Sequence, residues 1–90
     1  MHLSVEISMY PLQEGYKDKI KAFLDDINSH AGDLDIEIRT SNMSTRLFGD
    51  YDLVMGLLAR AMKDSMREYG KIVFVTKFLQ GDARELKSYD

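Results

Sequence analysis

Residues 2–10 read HLSVEISMY, and in this stretch apolar and polar side chains alternate without a break. A period of two over this length predicts a β-strand with one face on a hydrophobic core. Pro11, the only proline, is expected to end the strand because it cannot donate a hydrogen bond to a neighbouring strand. The core face of this strand is predicted to consist of Leu3, Val5, Ile7 and Met9.

A helical period replaces the alternation over residues 14–30, where one side is apolar and the other is charged. The apolar stripe consists of Tyr16, Ile20, Phe23, Leu24 and Ile27. Gly32 stands where a helix commonly ends in the left-handed conformation. The alternation then resumes over residues 34–39, which predicts a second strand.

A polar run, residues 40–45, leads into a third, short strand through Leu47 and Phe48. The run contains no Asn-Gly pair and no glycine, which argues against a tight two-residue hairpin. Gly49 is predicted to end the third strand.

A second helix is predicted to begin after Asp50 or Asp52, either of which can cap it by accepting from its free amide groups. The helix is expected to reach about Tyr69, and a last strand follows over residues 71–78. Residues 80–90 are polar and are predicted to form a tail without structure. The inward face of the second helix is predicted to consist of Val54, Leu57, Leu58, Ala61, Met62 and Tyr69.

The predicted order of elements is β-α-β-β-α-β, within one domain that spans residues 1–90. Right-handed crossovers then favour a ferredoxin-like α+β sandwich: a four-stranded antiparallel sheet with both helices on one face. The helical stripes are expected to form one core with the first, second and last strands. On the last strand, Ile72, Phe74, Thr76 and Phe78 compete with Val73 and Val75 for the inner face.

Composition narrows the classes of partner. A net charge of −3 argues against a nucleic-acid partner, because binding a phosphate backbone requires a basic face. No apolar run has the length of a membrane span and no signal sequence is evident, so no membrane partner is expected and the cytoplasm is the expected location. The chain has no cysteine to form disulfides, and a domain of this size is marginal alone. Self-association, as a homodimer or a dimer of dimers, is therefore expected.

The sheet face opposite the helices is predicted to be polar. It carries Ser4, Glu6, Ser8 and Tyr10 on the first strand, and Asp35, Glu37 and Arg39 on the second. Such a face can be solvated, or it can pack on a second subunit. An RNA-recognition domain shares this topology, but the carboxylate of Glu6 would repel RNA where that module stacks bases.

The polar run of residues 40–45 has two interpretations. It can be a connection whose side chains cap their own backbone. It can also be a cluster of hydroxyls and one amide that binds a small heteroaromatic ligand through hydrogen bonds. No catalytic residues are predicted, because His2 and His30 lie in no motif with a nucleophile or a carboxylate. Neither a metal site nor a cofactor is predicted.

Three segments resemble the YkoF-like thiamin/hydroxymethylpyrimidine-binding family and its small single-domain relatives. They are ISMYPL at residues 7–12, NMSTRLFG at residues 42–49 and VFVTK at residues 73–77, and the similarity runs from Leu3 to about Phe78. The resemblance implies a ferredoxin-like domain that binds thiamin or its pyrimidine precursor without chemistry, for vitamin transport or salvage. It also implies self-association, since better-known members carry two such domains in tandem. The positions carried over from the family are Asn42, Ser44, Thr45 and Gly49.

The residue chemistry suits such a ligand independently. Carboxylates can accept from an aminopyrimidine or attract a thiazolium cation, and an aromatic face can also attract that cation. The alternative is a small regulatory or assembly module that senses another metabolite. An acylphosphatase is disfavoured because residues 11–16 contain no arginine. The predicted ligand-binding residues are Glu6, Ser8, Tyr10, Glu37, Asn42, Met43, Ser44, Thr45, Phe48, Gly49 and Asp50.

Overall fold

Strand β1 (His2–Pro11) is the centre of the sheet and pairs on both sides. In the computed structural model, which describes residues 1–85, β1 lies antiparallel between β3 (Thr45–Asp50) and β4 (Ile72–Gln80). Strand β2 (Glu37–Thr40) pairs with the other side of β3, so the strand order is β2-β3-β1-β4. The predicted ferredoxin-like fold is confirmed.

Two helices form the second layer of the fold, α1 (Tyr16–Ala31) and α2 (Tyr51–Tyr69). Of the two predicted caps of α2, Asp50 is the one observed, and its Oδ2 accepts from the amides of Asp52 at 3.1 Å and Leu53 at 3.4 Å. These bonds satisfy amides that have no partner inside the helix. The helix ends at the predicted residue.

The end of α1 differs from the prediction. Gly32 is right-handed, with φ −62°, and continues into a 3₁₀ turn over Gly32–Leu34. The left-handed residue is Asp35, with φ 55°, a conformation that aspartate tolerates better than most residues. Leu34 therefore belongs to the turn, and β2 begins at Glu37.

Gly49 does not end the third strand, so that prediction is wrong. It pairs with Leu3 inside β3 and is buried beneath α2. A Cβ at this position would lie 3.2 Å from Ile36 Cγ1 and 3.3 Å from Val54 Cγ2. Gly49 thus allows the strand and the helix to approach closely, which is a common reason for glycine inside a strand.

The predicted core is confirmed, except that Tyr16 of the first helical stripe and Tyr69 of the second lie outside the core cluster. Phe23 and Ile27 of α1 are buried, and the rings of Phe23 and Phe74 lie 5.3 Å apart. On β4, Ile72 and Phe74 pack against the core, whereas Val73 and Val75 are exposed on the other face. The buried cluster consists of Leu3, Val5, Ile7, Met9, Phe23, Ile27, Ala31, Ile36, Leu47, Val54, Leu57, Leu58 and Ala61.

The chain after β4 folds back on the first strand. Ser4 Oγ donates to the carbonyl of Gly81 and accepts from the amide of Ala83, both at 2.8 Å. A 3₁₀ turn follows at Ala83–Glu85. The prediction of a structureless tail is therefore wrong for residues 80–85, and its remainder, 86–90, lies outside the described residues.

Candidate functional site

The sheet contains a gap beside the end of β1. Pairing between β1 and β3 stops at Ile7 and Thr45, whereas pairing between β1 and β4 continues to Pro11 and Ile72. Residues 8–11 are thus paired on one side only. On the other side the chain turns away through the hairpin of residues 40–45, and α1 covers the space that remains.

This gap is a cavity of about 440 Å³. Its volume falls in the range of small-molecule sites, roughly 300–1,000 Å³. No lining residue carries a charged side chain. The walls are mainly apolar and aromatic: Ile7, Met9, Tyr10, Pro11, Leu12, Tyr16, Ile20, Phe23, Leu24 and Met43. The polar lining consists of Ser8, Thr40, Ser41, Asn42, Ser44 and Thr45.

The hairpin at the rim is held by its own hydrogen bonds. The amide of Ser41 donates to the carbonyl of Ser44 at 2.9 Å, and Ser41 Oγ accepts from the amide of Met43 at 3.3 Å. Ser8 Oγ donates to the carbonyl of Met43 at 3.3 Å and so ties the tip to β1. The polar run is therefore partly a connection that caps its own backbone, as one interpretation of the sequence predicted.

Two polar side chains of the rim differ in their availability. The side-chain amide of Asn42 is exposed and has no hydrogen-bond partner among residues 1–85. Thr45 is 4% exposed, and its hydroxyl lies 3.3 Å from that of Thr40. A ligand can hydrogen-bond to the side chain of Asn42 without breaking a contact within the protein. The hydroxyl of Thr45, in contrast, is already in contact with that of Thr40.

The backbone of Met9 faces the cavity. The amide of Tyr51 donates to the carbonyl of Met1, and these two residues continue the register in which odd-numbered residues of β1 pair with β3. Because hydrogen-bonded pairs recur at every second residue, the odd-numbered residues of β1 direct their N–H and C=O groups towards β3. Met9 lies beyond the last pair of that ladder, at Ile7. Within the described chain, neither backbone group of Met9 has a hydrogen-bond partner. The cavity thus presents a donor and an acceptor on one strand edge.

Glu6 stands behind the rim. It lies on the open face, by which we mean the sheet face opposite the helices. Its Oε2 accepts from Ser44 Oγ at 2.9 Å, and its Oε1 lies 3.5 Å from Lys77 Nζ. Ser44 therefore separates this carboxylate from the cavity.

The predicted ligand-binding residues fall into two groups. Ser8, Tyr10, Asn42, Met43, Ser44 and Thr45 line the cavity, with Glu6 next to them. The others lie at the opposite end of β1, around a second hollow of about 510 Å³ that also includes His2 and Arg84. These others are Glu37, Phe48, Gly49 and Asp50.

Arg84 organises the second hollow. It donates to Asp82 and, at 3.3 Å, to Glu37 Oε1, and its guanidinium lies 5.8 Å from the ring centre of Phe48. The guanidinium of Arg39 lies 5.4 Å from the same ring, which is 4% exposed. Phe48 is therefore covered by protein cations and offers no free aromatic face to a ligand.

The same arginines shift two carboxyl groups. The hydrogen bond from Arg39, assisted by Arg84, lowers the pKa of Glu37 below its ordinary value. Arg84 lowers the pKa of Asp82 through side-chain and backbone hydrogen bonds. Both carboxylates are thus held in the ionised form.

Replacing Arg84 by glutamine is expected to lower the melting temperature at neutral pH more than in acid. A carboxyl group whose pKa is lowered in the folded state stabilises it above the unfolded pKa, near 4, and this contribution is lost as pH falls through the folded pKa. The check is a series of thermal melts from neutral pH downward, with Arg46→Gln on the same sheet face as the control. A difference in melting temperature that does not shrink in acid would contradict the assignment.

Other functional groups lie away from the cavity. His30 contacts Asp26 and Arg60 on the helical layer, and His2 lines the second hollow. Among residues 1–85, no three His, Asp or Glu side chains are grouped to hold a metal ion. In that same portion of the chain, no helix is both long and apolar enough to cross a membrane.

The sequence missed the helical wall of the cavity. Ile20, Phe23 and Leu24 were assigned only to the core, although they also line the cavity. Tyr16 was read as part of the apolar stripe, yet it is 51% exposed. The available signal was a tyrosine at the first turn of an amphipathic helix that follows a strand ending at Pro11.

Comparison with known proteins places the chain by its fold. No family model and no curated protein sequence matches it. Protein SP2199 from Streptococcus pneumoniae is 20% identical, with 96% of this chain and 93% of that chain covered and a TM-score of 0.73. A candidate thiamine biosynthesis/salvage protein (TM0486) from Thermotoga maritima is 14% identical, with 87% of this chain and 82% of that chain covered and a TM-score of 0.74. A domain of unknown function, DUF77, from Bacillus cereus is 12% identical, with 97% of this chain and 83% of that chain covered and a TM-score of 0.65. The chain shares its fold with all three.

Proposed function

We propose that the protein binds the aminopyrimidine part of thiamin, or free hydroxymethylpyrimidine, in the cavity beside residues 8–11, without catalysing a reaction on it. The observation that carries the proposal is the unpaired backbone of Met9 inside an uncharged cavity. Membership of the YkoF-like family, a role in vitamin transport or salvage, and a cytoplasmic location belong to the same proposal.

The chemistry of the ligand matches the strand edge. In an antiparallel ladder, one residue donates and accepts through adjacent N–H and C=O groups. An aminopyrimidine has a ring-nitrogen acceptor next to an amine donor, so it can occupy the place of the missing residue opposite Met9. The aromatic and apolar walls enclose the ring, and the rim supplies Asn42 for a further polar substituent.

The charge distribution favours the pyrimidine over the thiazolium as the enclosed part. The cavity has no carboxylate in its lining, and Glu6 is held by Ser44 and Lys77. A thiazolium is therefore expected to extend towards solvent. Thiamin and hydroxymethylpyrimidine should then bind with dissociation constants within about tenfold of each other, a difference of up to about 1.4 kcal/mol.

The comparisons supply a supporting argument. One protein of the same fold is a candidate for thiamine biosynthesis or salvage, at 14% identity. The sequence segments that resemble the YkoF-like family include the end of β1 and the hairpin, and both border the cavity.

Calorimetric titration with thiamin and with hydroxymethylpyrimidine tests the proposal. Asn42→Ala is expected to weaken binding by about threefold to tenfold, which corresponds to one hydrogen bond of about 0.5–1.5 kcal/mol. The melting temperature should change little, because the side chain has no partner among residues 1–85. Asn28→Ala, an asparagine on α1 that bonds to Leu24 outside this rim, is the matched control and should leave affinity unchanged.

The backbone contact is tested through the ligand, because a side-chain substitution does not remove it. A pyrimidine that lacks the amino group should bind more than about tenfold more weakly, since it leaves the carbonyl of Met9 unpaired in a mainly apolar cavity. No measurable binding of either ligand by the unmodified protein would overturn the proposal. Equal binding of the compound without the amine would overturn the role of Met9.

A further inference from the structure

Two arginines lie directly opposite each other on the open face. Arg39 of β2 pairs with Arg46 of β3, and Arg46 is also opposite Glu6, which places all three side chains on that face. The amide of Ser41 donates to the carbonyl of Ser44 two positions along the same ladder. The two arginines therefore form a hydrogen-bonded pair, with Cα atoms about 5.5 Å apart. Like charges directly opposite each other destabilise a sheet, and a bound anion would remove that cost.

Within residues 1–85, Arg46 has no carboxylate partner. Its guanidinium forms neither an ion pair nor a hydrogen bond there, and the residue is exposed. Glu6, the carboxylate opposite it, is engaged elsewhere. Its Oε2 accepts from Ser44 Oγ at 2.9 Å, and its Oε1 lies 3.5 Å from Lys77 Nζ. The positive charge of Arg46 is therefore not balanced within the described chain.

Arg39 is held in position with part of its guanidinium available. Its Nε donates to Glu37, and the guanidinium lies 5.4 Å from the ring centre of Phe48. Glu37 also accepts from Arg84 at 3.3 Å, so its carboxylate is not free to turn towards Arg46. In the described part of the chain, the two terminal nitrogens of Arg39 have no hydrogen-bond partner, and the side chain is 48% exposed. A guanidinium that is already oriented loses little conformational entropy when it binds.

We propose that Arg39 and Arg46 bind a phosphate group on the open face. The group is either free phosphate or the phosphate of a small phosphomonoester, and both present the same kind of oxygen to the two side chains. Neither arginine lines the cavity beside residues 8–11 or the second hollow. The site is therefore separate from the one proposed for the pyrimidine, and the inference does not depend on that ligand.

The number of donors selects phosphate over a carboxylate. Each guanidinium can present two parallel N–H donors to one anion. A carboxylate has two oxygens, which a single guanidinium occupies, whereas a phosphate has at least three unesterified oxygens and can accept from both arginines. A phosphate dianion also balances two positive charges. A nucleic-acid backbone is not expected here, because the chain carries a net charge of −3 and a polyanion requires an extended basic face.

An NMR titration tests the site directly. Protein labelled with ¹⁵N is titrated at neutral pH with inorganic phosphate and, separately, with phenyl phosphate, while sodium chloride keeps the ionic strength constant. The side-chain N–H signals of Arg39 and Arg46 should shift along one saturating curve, and those of Arg67 on α2 should not move. Phenyl phosphate that binds at least as tightly as inorganic phosphate identifies a phosphomonoester site, and weaker binding identifies free phosphate as the ligand. Acetate should bind at least about tenfold more weakly than phosphate.

Variants of Arg46 separate the role of its fork of donors from that of its charge. Arg46→Gln should weaken phosphate binding by about tenfold or more, because it removes both. Arg46→Lys keeps the charge but replaces the planar fork by one ammonium group, and should weaken binding by about threefold to tenfold. Arg67→Gln changes the net charge equally at an exposed position of α2 and should bind phosphate as the unmodified protein does. Both Arg46 variants are expected to fold normally, since the side chain has no polar partner among residues 1–85.

Three results would overturn the inference. The first is that phosphate moves the arginine signals no more than chloride or acetate does. The second is that Arg46→Gln binds phosphate as tightly as the unmodified protein. The third is that Arg67→Gln loses as much affinity as Arg46→Gln, which would indicate a diffuse attraction by net charge. The affinity of Arg46→Gln for hydroxymethylpyrimidine should equal that of the unmodified protein, so failure of this site is distinguishable from failure of the proposed function.

Discussion

Replacing Phe23 by alanine is expected to lower the free energy of unfolding by about 3–5 kcal/mol. The side chain is 3% exposed and packs on Phe74 with ring centres 5.3 Å apart, so it joins α1 to β4. Alanine would remove the ring and leave a space that the sheet cannot close without moving the helix. Urea denaturation monitored by circular dichroism measures the loss.

The loss should be a large share of the total, since domains of this size are stable by only about 5–15 kcal/mol. Met66→Ala is the control, because Met66 is 45% exposed on α2 and its truncation should change stability by no more than about 0.5 kcal/mol. If Phe23→Ala behaved like Met66→Ala, the helical stripe would not be part of the core.

Two glycine-to-alanine substitutions are expected to act in opposite directions. Gly49→Ala should destabilise by about 1–3 kcal/mol, the usual cost of overpacking a core. Its new methyl would meet Ile36 at 3.2 Å and Val54 at 3.3 Å, and both of these side chains are buried. Gly56→Ala should stabilise by about 0.5–1 kcal/mol, because Gly56 lies inside α2 with nothing within 4 Å of an added Cβ.

The two predicted changes in stability are checked by comparing the denaturation midpoint of each variant with that of the unmodified protein. A neutral Gly49→Ala would mean that α2 shifts to accommodate a methyl, and the close approach would not be a requirement of the fold. A destabilising Gly56→Ala would mean that this position is covered by a partner.

The fold was accessible from the sequence where the pattern was local. The alternation of residues 2–10 and the helical stripes identified the elements, and residue type limited the cap of α2 to Asp50 or Asp52. Gly49 was misread because its role depends on Val54 and Ile36, which reach it only after the helix has packed on the sheet. Residues 80–85 were misread because their partner is Ser4, at the other end of the chain.

The candidate site was accessible only in part, for the same reason. Side-chain chemistry pointed to residues 42–45, Ser8 and Tyr10, which the fold brings to one cavity. Side-chain chemistry also selected Glu37 and Phe48, whose groups are engaged by Arg39 and Arg84. The backbone of Met9 has no signature in the sequence, because an unpaired strand edge depends on where the neighbouring strand stops.

The pairing of the first strand with the last has a consequence for how the chain reaches its native state. The hydrogen bond from Ser4 to Gly81 spans 77 positions, so the contact requires closure of almost the whole chain. Contacts between such distant positions slow folding, because the loop must close before they form. During translation at about 5–20 residues per second, residues 2–11 wait roughly 3–14 s before β4 has been synthesised. For that interval one edge of β1 lacks its β4 partner, although α1, β3 and α2 are synthesised earlier and contact β1 in the native fold.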